Sequence, residues 1–503
     1  MSDIQLVWFK RDLRVSDHKP LYEAAQRGPV LPLYIVEPSV QAAPDYDPRH
    51  YEFIRASLLE LREKLAELGA PLVVRVGEAV PVLQQIHDEY GIGAIWAHEE
   101  TGNALTYARD IAVKQWARSC DILVHETPNG GVVRVLKSRD EWTKTWERRM
   151  AQPETPTPEC IRPVEGVDPG EIPAFTGTQP ATHTSLQPGG SAAAHNTLYT
   201  FLHQRGSRYQ REMSSPVTAY DACSRLSVHF ACGTISMRQA VNKLRRRRKA
   251  IYAMPKEEYK ELTGSWKSAL RSFNSRLHWR DHFIQKLEDE PEIEWHSFIR
   301  QFDALCDDPA TDPQAAERLH AWQSGYTGFP LVDAVMRALN ATGYTNFRMR
   351  AMLTSFASYD LWLPWQVTGL HLARMFTDYE PGIHWSQMQM QSGTTGINTV
   401  RVYNPTKQAK DHDPHGVFIR EWVPELANVP DEYIHEPHRI PPMFAHEYGV
   451  KIGVDYPAPI VDHKQATKAA KDKIYALRRD PEVKAAAKKV YEKHGSRKKN
   501  RRS

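Results

Sequence analysis

Short apolar runs and one amphipathic stretch alternate along the first 135 residues. The runs at residues 3–9, 30–36, 71–76 and 93–97 have the length and apolar content of buried strands. Residues 51–68 lie between them and place apolar side chains at helical spacing, at Ile54, Leu58, Leu61, Leu65 and Leu68. Strands that alternate with amphipathic helices form right-handed βαβ units. We therefore predict a doubly wound parallel-sheet α/β domain over residues 1–135.

The pattern changes twice after this domain. From residue 152 to about 195 the chain is rich in Pro, Gly, Thr and Ser, a composition that cannot pack a core. We therefore predict an interdomain linker over residues 136–195. Beyond it, helical periodicity dominates, which predicts an all-helical domain over residues 196–475. The predicted fold class is α/β plus all-α, followed by a basic C-terminal tail at residues 476–503.

One predicted helix pair in the second domain carries charges that packing does not require. Pro330 can open a helix and Gly343 can end it. The apolar positions between them fall on one stripe: Val332, Val335, Met336 and Leu339. Asp333 lies beside that stripe, and Arg348 and Arg350 open the next helix. Because a core helix pair needs none of these charges, we expect an anionic group nearby.

The composition is that of a globular chain, with 503 residues of which 41% are hydrophobic and 25% charged. No apolar run approaches the roughly 20 residues that span a bilayer, and the N-terminus has no signal-peptide core. Five cysteines without a CxxC pair favour a reducing cytoplasm over a disulfide framework. We expect a cytoplasmic monomer without membrane contact and predict no metal site.

The net charge of +4 is unevenly distributed. Residues 464–503 hold fifteen Lys and Arg against four Asp and Glu, a local +11 that leaves −7 on the rest of the chain. Such a segment attracts polyanions, although a solvated tail at residues 497–503 explains the same charges. A second basic run, KLRRRRK at residues 243–249, could touch phosphates. An exposed charged helix face accounts for it equally.

Several motifs resemble those of the photolyase/cryptochrome family, and they follow the family's order from about residue 5 to 475. The segment FKRDLRVSDHKPLYEA at residues 9–24 is similar to the family's opening FRRDLRxxDNxAL. CSRLS at residues 223–227 is similar to its TSRLS loop, and TGFPLVDAVMRAL at residues 327–339 to its flavin-domain block. The resemblance implies an N-terminal α/β domain, a linker and a helical FAD-binding domain, in the order that the periodicity also predicts.

The resemblance implies FAD as the cofactor. Arg350 and Asp378 correspond to an ion pair beside the flavin ring, where a guanidinium offsets negative charge at reduced N1. Glu380 corresponds to an acceptor for the ring N3–H. On spacing alone, a plain helix N-cap is the favoured explanation of the 223–227 loop, and the resemblance reverses that preference. The residues implied for the cofactor are Tyr209, Cys223, Ser224, Arg225, Leu226, Ser227, Arg280, Phe347, Arg350, Asp378, Tyr379, Glu380 and His384.

Two segments depart from the family pattern. His384 stands where photolyases usually have Asn near flavin N5, and a shift of one residue would put Ile383 there; the imidazole could donate a hydrogen bond to the ring. The family's WQW motif is Met388-Gln-Met390 here, which removes the tryptophan nearest the flavin in the electron-transfer chain. Trp365 keeps the middle position. The candidate catalytic and electron-relay residues are Trp365, Trp385, Trp362 and His384.

The resemblance also implies a DNA-binding face. Arginine suits phosphate contacts, and an aromatic edge suits a base taken out of the stack. The positions implied for DNA are Arg276, Trp279, Arg348, Met390, Arg401 and Gln408. The lesion type stays open. Arg276 replaces a glutamate common in cyclobutane-dimer enzymes, and Asn346-Phe347 lacks the histidine characteristic of 6-4 photoproduct enzymes.

The function that the resemblance implies is light-dependent repair of UV-damaged DNA by a photolyase with reduced FAD. The alternative is a cryptochrome-type photoreceptor without repair, which the missing WQW aromatics favour. The retained Arg401 and Gln408, and the lack of a long C-terminal extension, favour repair. A nucleotide-binding α/β protein without photochemistry does not explain the helical half. A second, antenna chromophore of folate or deazaflavin type is compatible with the resemblance, and its identity stays open.

Overall fold

A five-stranded parallel sheet forms the N-terminal half of the computed structural model, which describes residues 4–175, 185–262, 264–444 and 446–495. The strands are β1 Gln5–Phe9, β2 Val30–Val36, β3 Val73–Val76, β4 Ala94–His98 and β5 Leu123–Thr127. Their order in the sheet is β3-β2-β1-β4-β5, and every neighbouring pair is parallel. The order reverses between β1 and β4, where a doubly wound sheet opens a crevice at the carboxyl ends of its strands.

Six helices accompany the sheet within the described part of the N-terminal half. They are α1 Lys19–Ala25, α2 Pro38–Gln41, α3 Pro48–Glu67, α4 Ala79–Tyr90, α5 Ala104–Ser119 and α6 Trp142–Ala151. The predicted helix at residues 51–68 is α3, which starts three residues earlier because Pro48 occupies its first position and Asp47 caps it. Apolar side chains cover both faces of the sheet, as a buried parallel sheet requires.

The C-terminal half is helical. Its α-helices are α7 Ser191–Thr200, α8 Tyr209–Glu212, α9 Pro216–Ala222, α10 Ser227–Cys232, α11 Met237–Ala253, α12 Lys256–Glu261, α13 Trp266–Asp289, α14 Pro313–Ser324, α15 Pro330–Thr342, α16 Phe347–Ser355, α17 Trp365–Met375, α18 Pro381–Ser392, α19 Pro405–His412, α20 Val417–Trp422, α21 His463–Arg478 and α22 Pro481–His494. This arrangement confirms the predicted fold class. No helix of the described residues is both long and apolar enough to cross a membrane.

The segment predicted as a linker, residues 136–195, includes α6 and the start of α7. The described residues between these two helices, 152–175 and 185–190, form neither a helix nor a strand. The tail predicted at residues 476–503 holds the end of α21 and all of α22, and residues 497–503 lie outside the described part.

Asp333 is a structural carboxylate and does not lie at an anion site. It is fully buried at the start of α15, and it accepts hydrogen bonds from the backbone and hydroxyl of Thr327 at 2.8 and 2.6 Å. The Gly328 amide and the Tyr456 hydroxyl also donate to it. These bonds close the loop before α15 and tie a distant C-terminal segment to it. Asp333 therefore has a structural role, and the anionic group expected near this helix pair stays a prediction that rests on the two arginines of the next helix.

Arg49 joins the two halves from the first turn of α3. Its side chain is fully buried and ion-paired with Asp47 at 2.9 Å. The guanidinium donates to the carbonyls of Leu339, Asn340 and Met375, at 3.2, 3.1 and 2.9 Å. These carbonyls belong to the last turns of α15 and α17, where a helix leaves carbonyls without intrahelical donors; that of Leu339 also accepts from the capping amide of α15. One side chain of the α/β half thus satisfies two helix ends of the other half.

Replacement of Arg49 should loosen the contact between the two halves. Arg49→Met keeps much of the volume but leaves the Asp47 carboxylate and three carbonyls without their donor, so we expect a loss of about 3–5 kcal/mol of stability. Urea unfolding measures the free energy of unfolding, and the protease susceptibility of the folded protein reports how firmly the two halves are held together. The control is Arg62→Met on the same helix, because Arg62 donates only to carbonyls of the N-terminal half. Equal midpoints for the two variants would refute the role given to Arg49.

Candidate functional site

The centre of the candidate site is a two-pronged ion pair between Arg350 on α16 and Asp378 after α17. Both guanidinium nitrogens lie 2.9 Å from the carboxylate oxygens. The Ser227 hydroxyl at the start of α10 also hydrogen-bonds Asp378. Burial alone would raise the pKa of Asp378, but the charge of Arg350 and these hydrogen bonds hold that pKa below its usual value. The pair is therefore fixed and charged at neutral pH.

A second carboxylate, Glu380, lies two residues later and pairs with two arginines. Arg280 on α13 and Arg11 after β1 each approach its Oε2 at 3.0 Å. Arg280 also pairs with the buried Asp281 at 3.0 Å, and Arg11 donates to the carbonyl of Ala231 at 2.8 Å. Glu380 thus links the sheet, α10 and α13. The role of Arg11 was missed by the sequence reasoning, although Arg11 lies within the quoted N-terminal motif.

The loop at residues 223–227 has an unusual conformation. Arg225 has a backbone φ of 61°, in the left-handed region that residues other than glycine rarely adopt. Its guanidinium lies over the rings of Tyr344 and Tyr220, at 3.4 and 4.1 Å. Its Nη1 is buried without a hydrogen-bond partner among the described residues. A buried, only partly satisfied cation in a strained loop suits an anionic group.

Arg205 holds the same loop from the other side. It donates to the carbonyls of Asp221 and Ser224 at 2.7 and 2.8 Å, and to that of Cys223. Because these acceptors are backbone carbonyls, no sequence pattern marked Arg205 as part of the site. The thiol of Cys223 is hydrogen-bonded to Tyr344, and burial raises the pKa of Cys223 to about 11. The Cys223 thiol is therefore neutral at neutral pH and lines the site without contributing charge.

Tyr209 lies at the floor of the site. It is buried against Phe201 and Phe273, and its hydroxyl is hydrogen-bonded to Arg276. Arg276 in turn lies 5.8 Å from the ring of Phe347, which opens α16 with about half of its side chain exposed. The structure thus brings the predicted cofactor residue Tyr209 close to the exposed Arg276, which was predicted for DNA, and to the half-exposed ring of Phe347.

His384 contributes differently from the expectation. Its Nε2 lies 2.9 Å from the carbonyl of Gly369, which can only accept, so Nε2 carries the proton. Burial lowers the pKa of His384 to about 4, so the ring is neutral at neutral pH and has no second N–H. With the proton on Nε2, Nδ1 can accept but not donate a hydrogen bond, so donation from His384 to a ligand stays a prediction that requires the other tautomer or a charged ring. Its ring packs on Trp385 and Tyr379 instead, at 4.7 and 5.3 Å between centroids.

Two of the three candidate relay tryptophans are in contact. The rings of Trp365 and Trp385 cross edge to face at 5.9 Å between centroids, and both are buried. Trp362 lines the same small cavity as Trp365 and lies under the ammonium group of Lys473, at 4.7 Å. Met388 packs beside this pair, and its sulfur accepts a hydrogen bond of 3.4 Å from Thr354. The arrangement is a pair of contacting indole rings with a methionine side chain beside it.

The residues predicted for DNA lie on four helices, α13, α16, α18 and α19, and on the loop before α19. Trp279 stacks on Phe283 along one face of α13, at 5.6 Å. Arg348 lies 5.9 Å from the ring of Tyr403, and Arg401 is exposed. Gln408 on α19 is buried, with its Oε1 unpartnered among the described residues, and Met390 on α18 is half-buried. Within the described part of the chain, no carboxylate pairs with Arg276, Arg348 or Arg401.

A buried network of Asp12, His18 and His98 lies beside the site, at the end of β1. Both imidazoles lie within hydrogen-bond distance of Asp12 Oδ2, at 2.9 and 2.7 Å. The Leu21 amide donates to His18 Nδ1, so His18 carries its proton on Nε2 and donates to the carboxylate. Burial lowers the pKa of His98 to about 3, so its ring is neutral. These hydrogen bonds account for the cluster without a metal ion.

Two cavities lie where the halves meet. One, of about 60 Å³, is lined by charged groups that include Arg14, Arg280 and Glu380. The other, of about 160 Å³, is mostly apolar and lies over the carboxyl ends of β1 and β2. Asp45 closes one wall of the second cavity, where Tyr379 donates to it at 2.7 Å. The second cavity is therefore next to the segment that carries both site carboxylates.

The residues present fit FAD. The partly satisfied Arg225 and the hydroxyls of Ser224 and Ser227 suit phosphates, and the Arg350–Asp378 pair offers a fixed cation to an electron-rich ring. Comparisons with known proteins agree with this fit. Residues 5–149 match the family model for DNA photolyase, and residues 273–476 match that for the FAD binding domain of DNA photolyase.

Whole-chain relatives carry two kinds of name. The chain is similar to a deoxyribodipyrimidine photo-lyase of Escherichia coli, with 30% identity over 92% of this chain and 96% of the other. It is also similar to a cryptochrome DASH of Gloeobacter violaceus, with 29% identity over 93% and 95%. A class III photolyase structure from Agrobacterium tumefaciens shares the fold, with a TM-score of 0.79 at 24% identity over 95% of this chain and 98% of that one. The chain belongs to the photolyase/cryptochrome family.

Proposed function

We propose that this protein is a DNA photolyase that binds FAD and repairs UV-induced pyrimidine dimers in light. The observation that supports repair is a set of three arginines without acidic partners: Arg276 and Arg401 are exposed, and Arg348 is half-buried. None of them has a carboxylate partner among the described residues, and Arg276 lies 5.8 Å from the exposed ring of Phe347. Cations without acidic partners around an aromatic edge suit a nucleic-acid backbone with an extruded base.

The chain's own groups would hold the cofactor in a defined orientation. The 223–227 loop would bind its phosphates, and Arg350, fixed by Asp378, would face the ring. Reduced FAD, when bound, absorbs blue or near-UV light and supplies the electron that splits the dimer. Tyr209 and Phe347 would shield the pocket from water, and Arg276 would face the lesion. We also propose that domain boundaries at residues 135, 195 and 475 separate the α/β part, the linker, the cofactor-binding part and the tail.

A second chromophore would lie in the 160 Å³ cavity between the halves. A solved photolyase from Sulfolobus tokodaii, of the same fold, is described with two FAD molecules and as implying a novel light-harvesting cofactor. In this chain the cavity offers aromatic walls, Tyr34 and Tyr46, and polar groups at one end, Asp45 and Asn103. A flat heteroaromatic ring with a polar edge fits such a lining. The class of that ring, folate, deazaflavin or flavin, stays open.

A photoreceptor without repair is the second candidate function. It is favoured by Met388 and Met390, which stand where the family's WQW motif has tryptophans. A lesion pocket without those rings offers less stacking surface to a base. The Trp365–Trp385 contact is compatible with both functions, because each requires a supply of electrons to the cofactor.

The repair assay separates the two functions. We expect that purified protein with reduced FAD restores bases in a dimer-containing oligonucleotide under blue light and leaves them unchanged in the dark. Assays on cyclobutane dimers and on 6-4 photoproducts identify the lesion. Light-driven flavin reduction without repair of either lesion would favour the photoreceptor.

Replacement of Arg350 should release the cofactor. Arg350→Ala leaves Asp378 as a buried, unpaired carboxylate beside the ring, at a cost of about 3–5 kcal/mol. We expect protein that purifies with little flavin, measured by absorbance after gel filtration. The control is Arg337→Ala, which breaks another half-buried ion pair on α15, with Glu425 at 2.8 Å. Full flavin retention by Arg350→Ala would exclude Arg350 from the site.

The indole pair should carry electrons to the cofactor. We expect Trp385→Phe or Trp365→Phe to slow light-driven flavin reduction, because phenylalanine is much harder to oxidise, while repair by dithionite-reduced protein is nearly unchanged. Flavin bleaching under light with an external reductant is the measurement. Trp295→Phe serves as the control, because Trp295 is half exposed and is not one of the paired indoles. Normal bleaching in both variants would leave Trp365 and Trp385 without a relay role.

A further inference from the structure

The two C-terminal helices repeat a sequence unit. Residues 468–475 of α21 read KAAKDKIY, and residues 484–491 of α22 read KAAAKKVY, sixteen residues later. Five of the eight positions are identical, and a sixth exchanges Ile474 for Val490. The family model ends at residue 476, so α22 lies beyond the segment that matches the family. The second unit is therefore not explained by the family's common fold.

Both units pack in the same way. Ile474 and Val490 are buried in one apolar cluster, with 3% and 8% of their side chains exposed. The tyrosines that follow, Tyr475 and Tyr491, are exposed to 43% and 58%. Each helix thus places the same side on the cluster and turns the same tyrosine to solvent. The matching burial indicates that the repeat has a structural basis.

A basic stripe runs along one side of α21. Its members are Lys464, Lys468, Lys471, Tyr475 and Arg479, at spacings of four, three, four and four residues. Such spacings keep successive side chains on one face, and fifteen residues of helix extend about 22 Å. On α22 the same side carries Lys484, Lys488 and Tyr491, with Lys489 beside them. We call these two rows together the C-terminal basic stripe.

The cations of the stripe have no acidic partners. Within residues 4–175, 185–262, 264–444 and 446–495, no ion pair joins a carboxylate to any lysine or arginine of the stripe. The neighbouring Lys493, outside the stripe, is paired with Glu290 at 2.9 Å. An ordinary solvated helix face intersperses both signs, whereas Asp472 is the single acid among the residues of α21. The unpaired rows are therefore suited to an anionic partner.

The stripe adjoins the candidate DNA face. Arg478, next to the stripe on α21, donates to the carbonyls of Gly393 and Asn398, at 2.9 and 3.1 Å. These carbonyls belong to the segment between Met390 and Arg401. The helix therefore braces the loop that leads to Arg401, one of the arginines predicted for DNA.

We propose that the C-terminal basic stripe binds the phosphate backbone of duplex DNA outside the lesion site. The proposal rests on the DNA-binding part of the proposed function. A length of about 22 Å spans about six phosphates of one strand, since a strand of duplex carries one charge per about 3.4 Å. The exposed tyrosines add hydroxyls that donate to phosphate oxygens. Contacts of this type are independent of sequence and of damage.

The test compares two variants, each of which removes positive charges of the stripe, with a control. One is Lys464→Gln/Lys468→Gln/Lys471→Gln/Arg479→Gln, and the other Lys484→Gln/Lys488→Gln/Lys489→Gln. The control, Lys19→Gln/Lys137→Gln/Lys256→Gln, removes three exposed charges from other elements. Dissociation constants for a long undamaged duplex are measured between about 50 and 200 mM salt. We expect the slope of log Kd against log salt to fall by about one per lost contact in the stripe variants and to stay unchanged in the control.

The outcomes distinguish this proposal from the proposed function. Flavin content and light-driven repair of a short dimer-containing duplex, which does not reach the stripe, are measured on the same variants and should be unchanged. If the wild-type protein lacks repair and the stripe variants still show the smaller salt slopes, the photolyase proposal is refuted and the DNA-binding role of the stripe is retained. If the slopes of the stripe variants equal that of the control, the DNA-binding role of the stripe is refuted. Binding to anionic vesicles that only the stripe variants lose, with DNA slopes unchanged, would also overturn it in favour of a membrane surface.

Discussion

A single buried guanidinium determines how the two halves of this protein meet. Arg49 reaches from α3 into the helical half and donates to carbonyls at the ends of α15 and α17. The segment that follows α17 carries Asp378 and Glu380, the two carboxylates of the candidate site. The position of both therefore depends on where α17 ends, and Arg49 fixes that end against the sheet. A charge so deeply buried is costly unless every donor finds an acceptor, which explains why the contact consists of several hydrogen bonds.

The two carboxylates serve different partners although they are two residues apart. Asp378 pairs with Arg350 within the helical half, whereas Glu380 pairs with Arg11 from the sheet and Arg280 from α13. Extended backbone alternates the directions of successive side chains, so residues two apart point to the same side only when the chain is straight. Here α18 begins directly after Glu380, and the turn into that helix separates the two carboxylates. One short turn thus joins the proposed cofactor pocket to the interface between the halves.

Periodicity predicted the elements well wherever burial was one-sided or complete. The stripe of α15 and four of the five strands were predicted, because their apolar positions face a core. Strand β5 was missed, since it lies at the sheet edge and Leu123 is largely exposed, which leaves no continuous apolar run. Arg205 acts through backbone carbonyls, and the partners of Asp333 and Arg49 come from distant segments. Such contacts have no local signature, so sequence patterns alone could not have revealed them. The proton position on His384 likewise depends on one carbonyl, that of Gly369, on the neighbouring helix.

The Arg49 contact has a consequence for how the chain tolerates divergence. Among the described residues of the helical half, the groups that accept from Arg49 are main-chain carbonyls, and each residue type supplies the same one. Mutations at the three accepting positions can therefore accumulate without removing the acceptors, provided that the two helices still end there. This contact therefore does not depend on side-chain identity in the helical half, whereas in the α/β half it depends on one residue, Arg49.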